Sequence, residues 1–213
     1  MLTDQEQLAF RESIGRVQNM AAGSLRKVGD AGRAVAFIAN LHRGLDHVAL
    51  RAAELGPVPD CQAGCAYCCF VRVEATEPEV FLIAQRVRLL PENQVAGLID
   101  KLRRRVAEYG AGLSDTRVGC AFLVEGRCSI YEARPAACRK AHSLSVRQCA
   151  ELAAEIPQNL KLIAEAEALM AGTSNAYREV GLPASPLELN SAVLLALSDA
   201  SAESRWFKGE TVF

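Results

Sequence analysis

The chain has 213 residues, half of them hydrophobic, with 24 Lys plus Arg against 25 Asp plus Glu and a formal net charge of −1. That length and apolar content suit a single domain with one sizeable core. The near-neutral balance supplies no basic field for nucleic acid and no acidic tail, so nucleic acid is not an expected partner.

The N-terminal segment, starting Met1-Leu2-Thr3-Asp4, lacks the basic and apolar regions of a secretory leader. No apolar run approaches the ~20 residues that a membrane span needs. No membrane partner is expected, and the reading is cytoplasmic, where thiols stay reduced and disulfides are rare.

Thr3 followed by Glu6 reads as a capping box that opens a helix to about Met20. A second helix is expected from Ala31 to Leu55, because Phe37, Leu41, Leu45, Val48 and Leu55 recur at helical steps. Gly-Pro-Val-Pro at 56–59 stops it. Thr76 and Glu79 form another capping box, with Pro78 in the first turn, for a helix running to about Leu90. Pro91 opens a further helix to about Tyr109, whose Lys101, Arg103, Arg104 and Arg105 read as a solvated face. Residues 120–131 suggest a short β-hairpin. A turn at Arg134-Pro135 precedes helices at 145–155 and 158–180. Ser185, Pro186 and Glu188 read as the capping box of a last helix. The fold class expected is mostly α, a helical domain with a small β-hairpin around a cysteine-rich centre. Residues 1–56 would be N-terminal helices, 57–155 the cysteine-rich core and 156–213 C-terminal helices, with the helices at 31–55, 77–90 and 92–109 supplying the apolar core.

The cysteines carry the chemistry. Cys61, Cys65, Cys68 and Cys69 fall in one short loop, and Cys120, Cys128, Cys138 and Cys149 follow as a looser set. Thiolates so crowded repel one another unless a cation holds them or they oxidise. Cys65 and Cys68 have the C-x-x-C spacing that lets two thiolates reach one metal across a tight turn. The adjacent pair Cys68 and Cys69 diverge, which favours two metals or a metal and a separate cluster. Eight thiolates could complete two four-ligand sites, whereas one zinc or one cubane would use four. Soft thiolates suit zinc and iron–sulfur alike. The triad Cys61, Cys65 and Cys68 leaves a fourth position for a distant cysteine, which tilts the reading toward iron. Arg127, Arg134, Arg139, Lys140 and Arg147 interleave with the second set, and at least two should offset anionic sulfur. Arg134 and Arg139 are the residues taken as supporting the cofactor, with Arg134 extended by the proline after it and facing the cluster. Tyr131 is expected to pack. His142 is a weak ligand candidate, and His42 and His47 are read as non-ligands.

The run Cys61-x₃-Cys65-x₂-Cys68-Cys69, then Thr76 and Glu79, then Cys120-Ala-Phe-Leu, Arg127-Cys128-Ser129-Ile130-Tyr131-Glu132 and Arg134-Pro135-x-x-Cys138-Arg139, resembles the zinc- or iron-chelating CxxCxxCC family of small bacterial proteins. The chain has Ala121 where many members have proline. The resemblance implies metal binding and leaves the biochemical role undefined. A related cysteine-rich domain occurs in flagellin lysine N-methylases, which implies an enzymatic alternative using S-adenosylmethionine. No dinucleotide fingerprint, P-loop or nucleophile elbow is present. The chain is too helical for the barrel of radical enzymes. Three readings stay open: a protein that binds zinc or an iron–sulfur cluster, a methyltransferase-like or redox enzyme, and a zinc scaffold for an unknown protein partner.

Overall fold

The computed structural model describes residues 3–62, 64–110 and 118–213. The architecture is mostly α-helical with two small antiparallel strand pairs. Helix α1 (Asp4–Leu25) opens on the expected capping box: the Glu6 carboxylate takes the Thr3 N–H at 2.8 Å, and Thr3 Oγ1 accepts from Glu6 N at 3.3 Å. It runs further than Met20 because its last turn buries Ala21, Ala22 and Leu25.

The helix expected at 31–55 is two, α2 (Ala31–Phe37) and α3 (Ala39–Leu55). The cause lies outside the segment. The Tyr177 hydroxyl donates to the Ala34 carbonyl at 2.7 Å. That carbonyl is the acceptor an unbroken helix would offer to Ile38, whose N–H turns instead to Val35 at 3.1 Å. The result is a tight step of the i to i+3 kind.

Strand β1 (Glu74–Thr76) leads directly into α4 (Glu77–Val87). Helix α5 (Glu92–Gly110) follows, and then β2 (Leu123–Val124) and β3 (Arg127–Cys128) form the expected hairpin. Its two-residue turn, Glu125 at φ 49° and Gly126 at φ 76°, has the left-handed backbone that lets short hairpins keep their twist. Helix α6 (Ala136–Lys140) occupies a stretch to which the sequence pattern assigns no element, just after the turn at Arg134-Pro135. Helix α7 (Val146–Ala150) stops five residues short of expectation, where Leu152 takes φ 59°.

Helix α8 (Leu160–Glu179) is capped by the Asn159 side chain. The Ser185–Glu188 box is not formed. Pro186–Glu188 is strand β4, antiparallel to β1 with Ala75 opposite Leu187, and Ser185 gives its N–H to Glu77. Helix α9 (Leu189–Ser198) starts after it, its first amides held by the Glu188 carboxylate, and α10 (Ala202–Phe207) ends the helices.

The core draws on more helices than the periodicity indicated. Helix α4 is buried along most of its length, but α5 contributes only Leu98 and Leu102. Tyr177 of α8, Val193 of α9 and Trp206 of α10 are fully buried. Phe81 and Trp206 pack at a centroid distance of 5.3 Å, and the indole N–H reaches the Pro183 carbonyl at 2.8 Å. Helix α1 lies along α8, while α9 covers α4 and α5. This assembly leaves the segments 57–73 and 118–150 to be positioned from its side. No helix among the described residues is long and apolar enough to cross a membrane.

Candidate metal centre

Three backbone links place the eight cysteines. The first ties the loop after α3 to the segment before α7. Asp60 N–H reaches the Ser143 carbonyl at 2.8 Å, Val146 N–H reaches Asp60 Oδ2 at 3.2 Å, and Ser143 N–H points at Cys61 Sγ at 3.3 Å. Cys61 is thereby brought beside the helix that carries Cys149. The second link is the turn through Gly64. Its φ of 90° suits glycine, and Cys65 N–H closes onto the Gln62 carbonyl at 2.9 Å. The third joins the two halves: Cys69, on the 3-10 turn Tyr67–Phe70, accepts the Cys120 N–H at 2.7 Å. The Phe70 ring lies so close to Gly119 that a Cβ there would come within 3.2 Å of it.

The hairpin then sets Cys128 opposite Leu123, near Cys120, and α6 presents Cys138. Cys61 and Cys68 are exposed and the other six half-buried, and none forms a disulfide.

The thiols influence one another in a pattern. Cys61 lies in the electrostatic reach of Cys65, Cys68 and Cys149. Cys69 feels Cys68, Cys120 and Cys128, and Cys138 feels Cys120, Cys68 and Cys128. Burial pushes Cys138 up to about 12, with the neighbouring thiolate charges adding to it. Burial also raises Cys61, Cys120 and Cys128. The adjacent pair behaves differently. A hydrogen bond from Cys69 lowers Cys68 to about 6, with help from the Arg134 charge, and Cys69 is raised as the donor. Cys68 is thus the thiolate of the pair and Cys69 the thiol.

Among the described residues, no three His, Cys, Asp or Glu side chains converge closely enough to hold a metal ion as they stand. The donor set nonetheless fits a metal. Backbone N–H groups already address sulfur at Cys61, at Cys120 from Phe122 and at Cys128 from Ile130. Such donors favour the anionic form, which is the form that binds metal.

The basic residues divide. Arg134 is extended, with ψ 143°, as its position before Pro135 requires. Its guanidinium lies 3.7 Å from the Tyr131 ring centroid, and its charge favours the thiolates of Cys68 and Cys128. Tyr131 does not pack into the core; it is 57% exposed and serves as the platform for that guanidinium. Arg139 faces elsewhere. Its buried guanidinium grips both Asp46 oxygens at 2.9 and 2.6 Å, the Arg134 carbonyl at 3.1 Å and the Glu132 carbonyl at 2.6 Å. It braces the chain just before α6. Lys140 pairs with Glu167, Arg147 with Glu151 at 3.4 Å on the surface, and Arg127 is exposed.

The histidines are accounted for. His142 places Nδ1 on the Lys140 carbonyl at 2.9 Å and accepts the Asn159 N–H on Nε2 at 2.8 Å, so both ring nitrogens are committed. His47 is exposed. His42 is buried and bonded to Glu79 at 3.2 Å, a pairing that helix-face spacing within α3 did not reveal.

No curated protein and no solved structure matches the chain. A family model described as "Putative zinc- or iron-chelating domain", CxxCxxCC, matches residues 60–161, a little under half the chain. All eight cysteines lie within that span, and over residues 60–161 the chain is similar to that family.

Proposed function

We propose that the eight cysteines hold iron–sulfur chemistry in two sets of four. The first set is Cys61, Cys65, Cys68 and Cys149, and the second is Cys69, Cys120, Cys128 and Cys138. The observation that carries this reading is the pair of backbone links that set Cys61 beside the helix of Cys149 and Cys69 beside Cys120, with Cys68 between the two groups and within electrostatic reach of Cys61, Cys128 and Cys138 alike. Adjacent side chains diverge, so one serves each side. An iron–sulfur cluster in either set would supply a one-electron couple. The chain's own residues would supply N–H donors to sulfur and, from Arg134, a positive charge beside Cys68 and Cys128. Free thiols throughout suit a reducing compartment such as the cytoplasm.

The test is metal content in single serine variants. Cys65→Ser should deplete the first set, and Cys138→Ser the second, each leaving about half the iron. Both should melt at lower temperature, since metal binding and folding free energy are linked in such sites. Unchanged iron in both variants would overturn the assignment. Wild-type protein with stoichiometric zinc and no iron would replace the cluster with structural zinc.

A further inference from the structure

Glu79 begins as an ordinary capping residue and ends as something more. Its Oε2 accepts the N–H and the hydroxyl of Thr76, each at 2.9 Å, which completes the box that opens α4. Its Oε1 takes two further donors from distant parts of the chain. The Ala136 N–H lies at 2.6 Å and His42 Nε2 at 3.2 Å. The Glu79 side chain is 4% exposed and that of His42 5%. A carboxylate so enclosed is costly unless its lone pairs are filled, and here four donors from three segments fill them.

The Ala136 contact is the informative one. Ala136 is the first residue of α6, and Pro135 before it offers no side-chain cap. The first amides of a helix need acceptors from outside. Glu79 provides one across 57 residues of sequence. Helix α6 has only five residues, too few to hold itself in place, and it presents Cys138. The Arg139 grip on Asp46 of α3 fixes the helix from its other side.

We propose that Glu79, held by His42, is the positioning residue that seats α6 so that Cys138 can join the second cysteine set. The proposal rests on the metal-binding reading above. Glu79 acts through α6 and touches no metal.

Cobalt(II) is the probe, because its charge-transfer absorption reports the number of bound thiolates whatever the native metal is. Four variants are compared with wild type: Glu79→Ala, Ala136→Pro, Thr76→Val and Cys138→Ser. Proline is tolerated at a first helical position, so Ala136→Pro removes the amide that joins Glu79 to α6. Thr76→Val removes a bond to the same carboxylate but spares that link. Charge transfer in Glu79→Ala and Ala136→Pro should fall to the level of Cys138→Ser, while Thr76→Val keeps the wild-type intensity. Wild-type intensity in folded Glu79→Ala or Ala136→Pro would overturn the role of Glu79 alone. So would an equal loss in Thr76→Val. Loss of the cooperative melt in both Glu79→Ala and Ala136→Pro would make the contact a general support of the fold and overturn it too. Wild-type protein with no cobalt–thiolate absorption would overturn the metal reading, and this proposal with it.

Discussion

At the scale of single residues, the cysteines are unequal, and their inequality has a measurable sign. Cys68 is held near 6 by its neighbour's hydrogen bond and by Arg134, so it is largely ionised at neutral pH. Cys61, Cys69, Cys120, Cys128 and Cys138 are raised above the ordinary thiol value of 9.0 and stay protonated there. A metal must displace those protons, so its apparent affinity rises with pH through the neutral range and protons are released on binding. Titration calorimetry in two buffers of different ionisation enthalpy should show net release. Removing the guanidinium in Arg134→Ala raises Cys68, adds to the release and weakens metal retention. Arg103→Ala, on an exposed face, should change neither. Equal behaviour of the two variants would remove Arg134 from the site.

At the scale of elements, the seam between α1 and α8 turns on Gly172. A Cβ built there would lie 2.6 Å from Val17 Cβ and 2.8 Å from the Ile14 carbonyl oxygen. Two effects of Gly172→Ala then oppose each other. Helix propensity favours alanine by about 1 kcal/mol, but overpacking a tight contact costs about 1–3 kcal/mol. The clash involves backbone and a branched side chain, neither of which moves freely. Gly172→Ala should therefore lower the melting temperature, while the control Gly97→Ala, with nothing within 4 Å, should leave it level or raise it. A stabilised Gly172→Ala protein would show that the two helices slide apart easily.

The elements also show what the amino-acid pattern could carry. Capping boxes at Thr3 and Thr76 were legible because a box is local: two residues at fixed spacing satisfy each other. The hairpin was legible for the same reason, through Glu125-Gly126. The break at Ile38 was not, because its cause is a tyrosine hydroxyl from α8. Nor was α6, whose first amide is capped from α4. The box read at Ser185 failed because the Ser185 N–H goes to Glu77, which draws the segment into a strand against β1. In the candidate centre the grouping of the cysteines into a short loop and a looser downstream set is plain from their spacing. Which downstream cysteine lies beside that loop is not, since Cys149 is brought toward Cys61 only through the Ser143 and Asp60 links. Likewise, the helical spacing of His42 gave no hint of its bond to Glu79.

At the scale of the whole molecule, a helical body built on Phe81, Tyr177 and Trp206 carries two lateral segments that are joined where the Cys120 N–H meets the Cys69 carbonyl. Those segments contribute few large buried side chains, with Phe122 the main one. Their order should therefore depend on what the cysteines bind, while the helical body should not. On the proposal above, these thiolates hold iron–sulfur centres. The most direct measurement is quantitation of iron, acid-labile sulfide and zinc, with the visible spectrum, on protein purified without oxygen. The protein should be brown, with iron and sulfide in near-equal amounts, sufficient for two sites per chain. Colourless protein that takes up no iron on anaerobic reconstitution would contradict it.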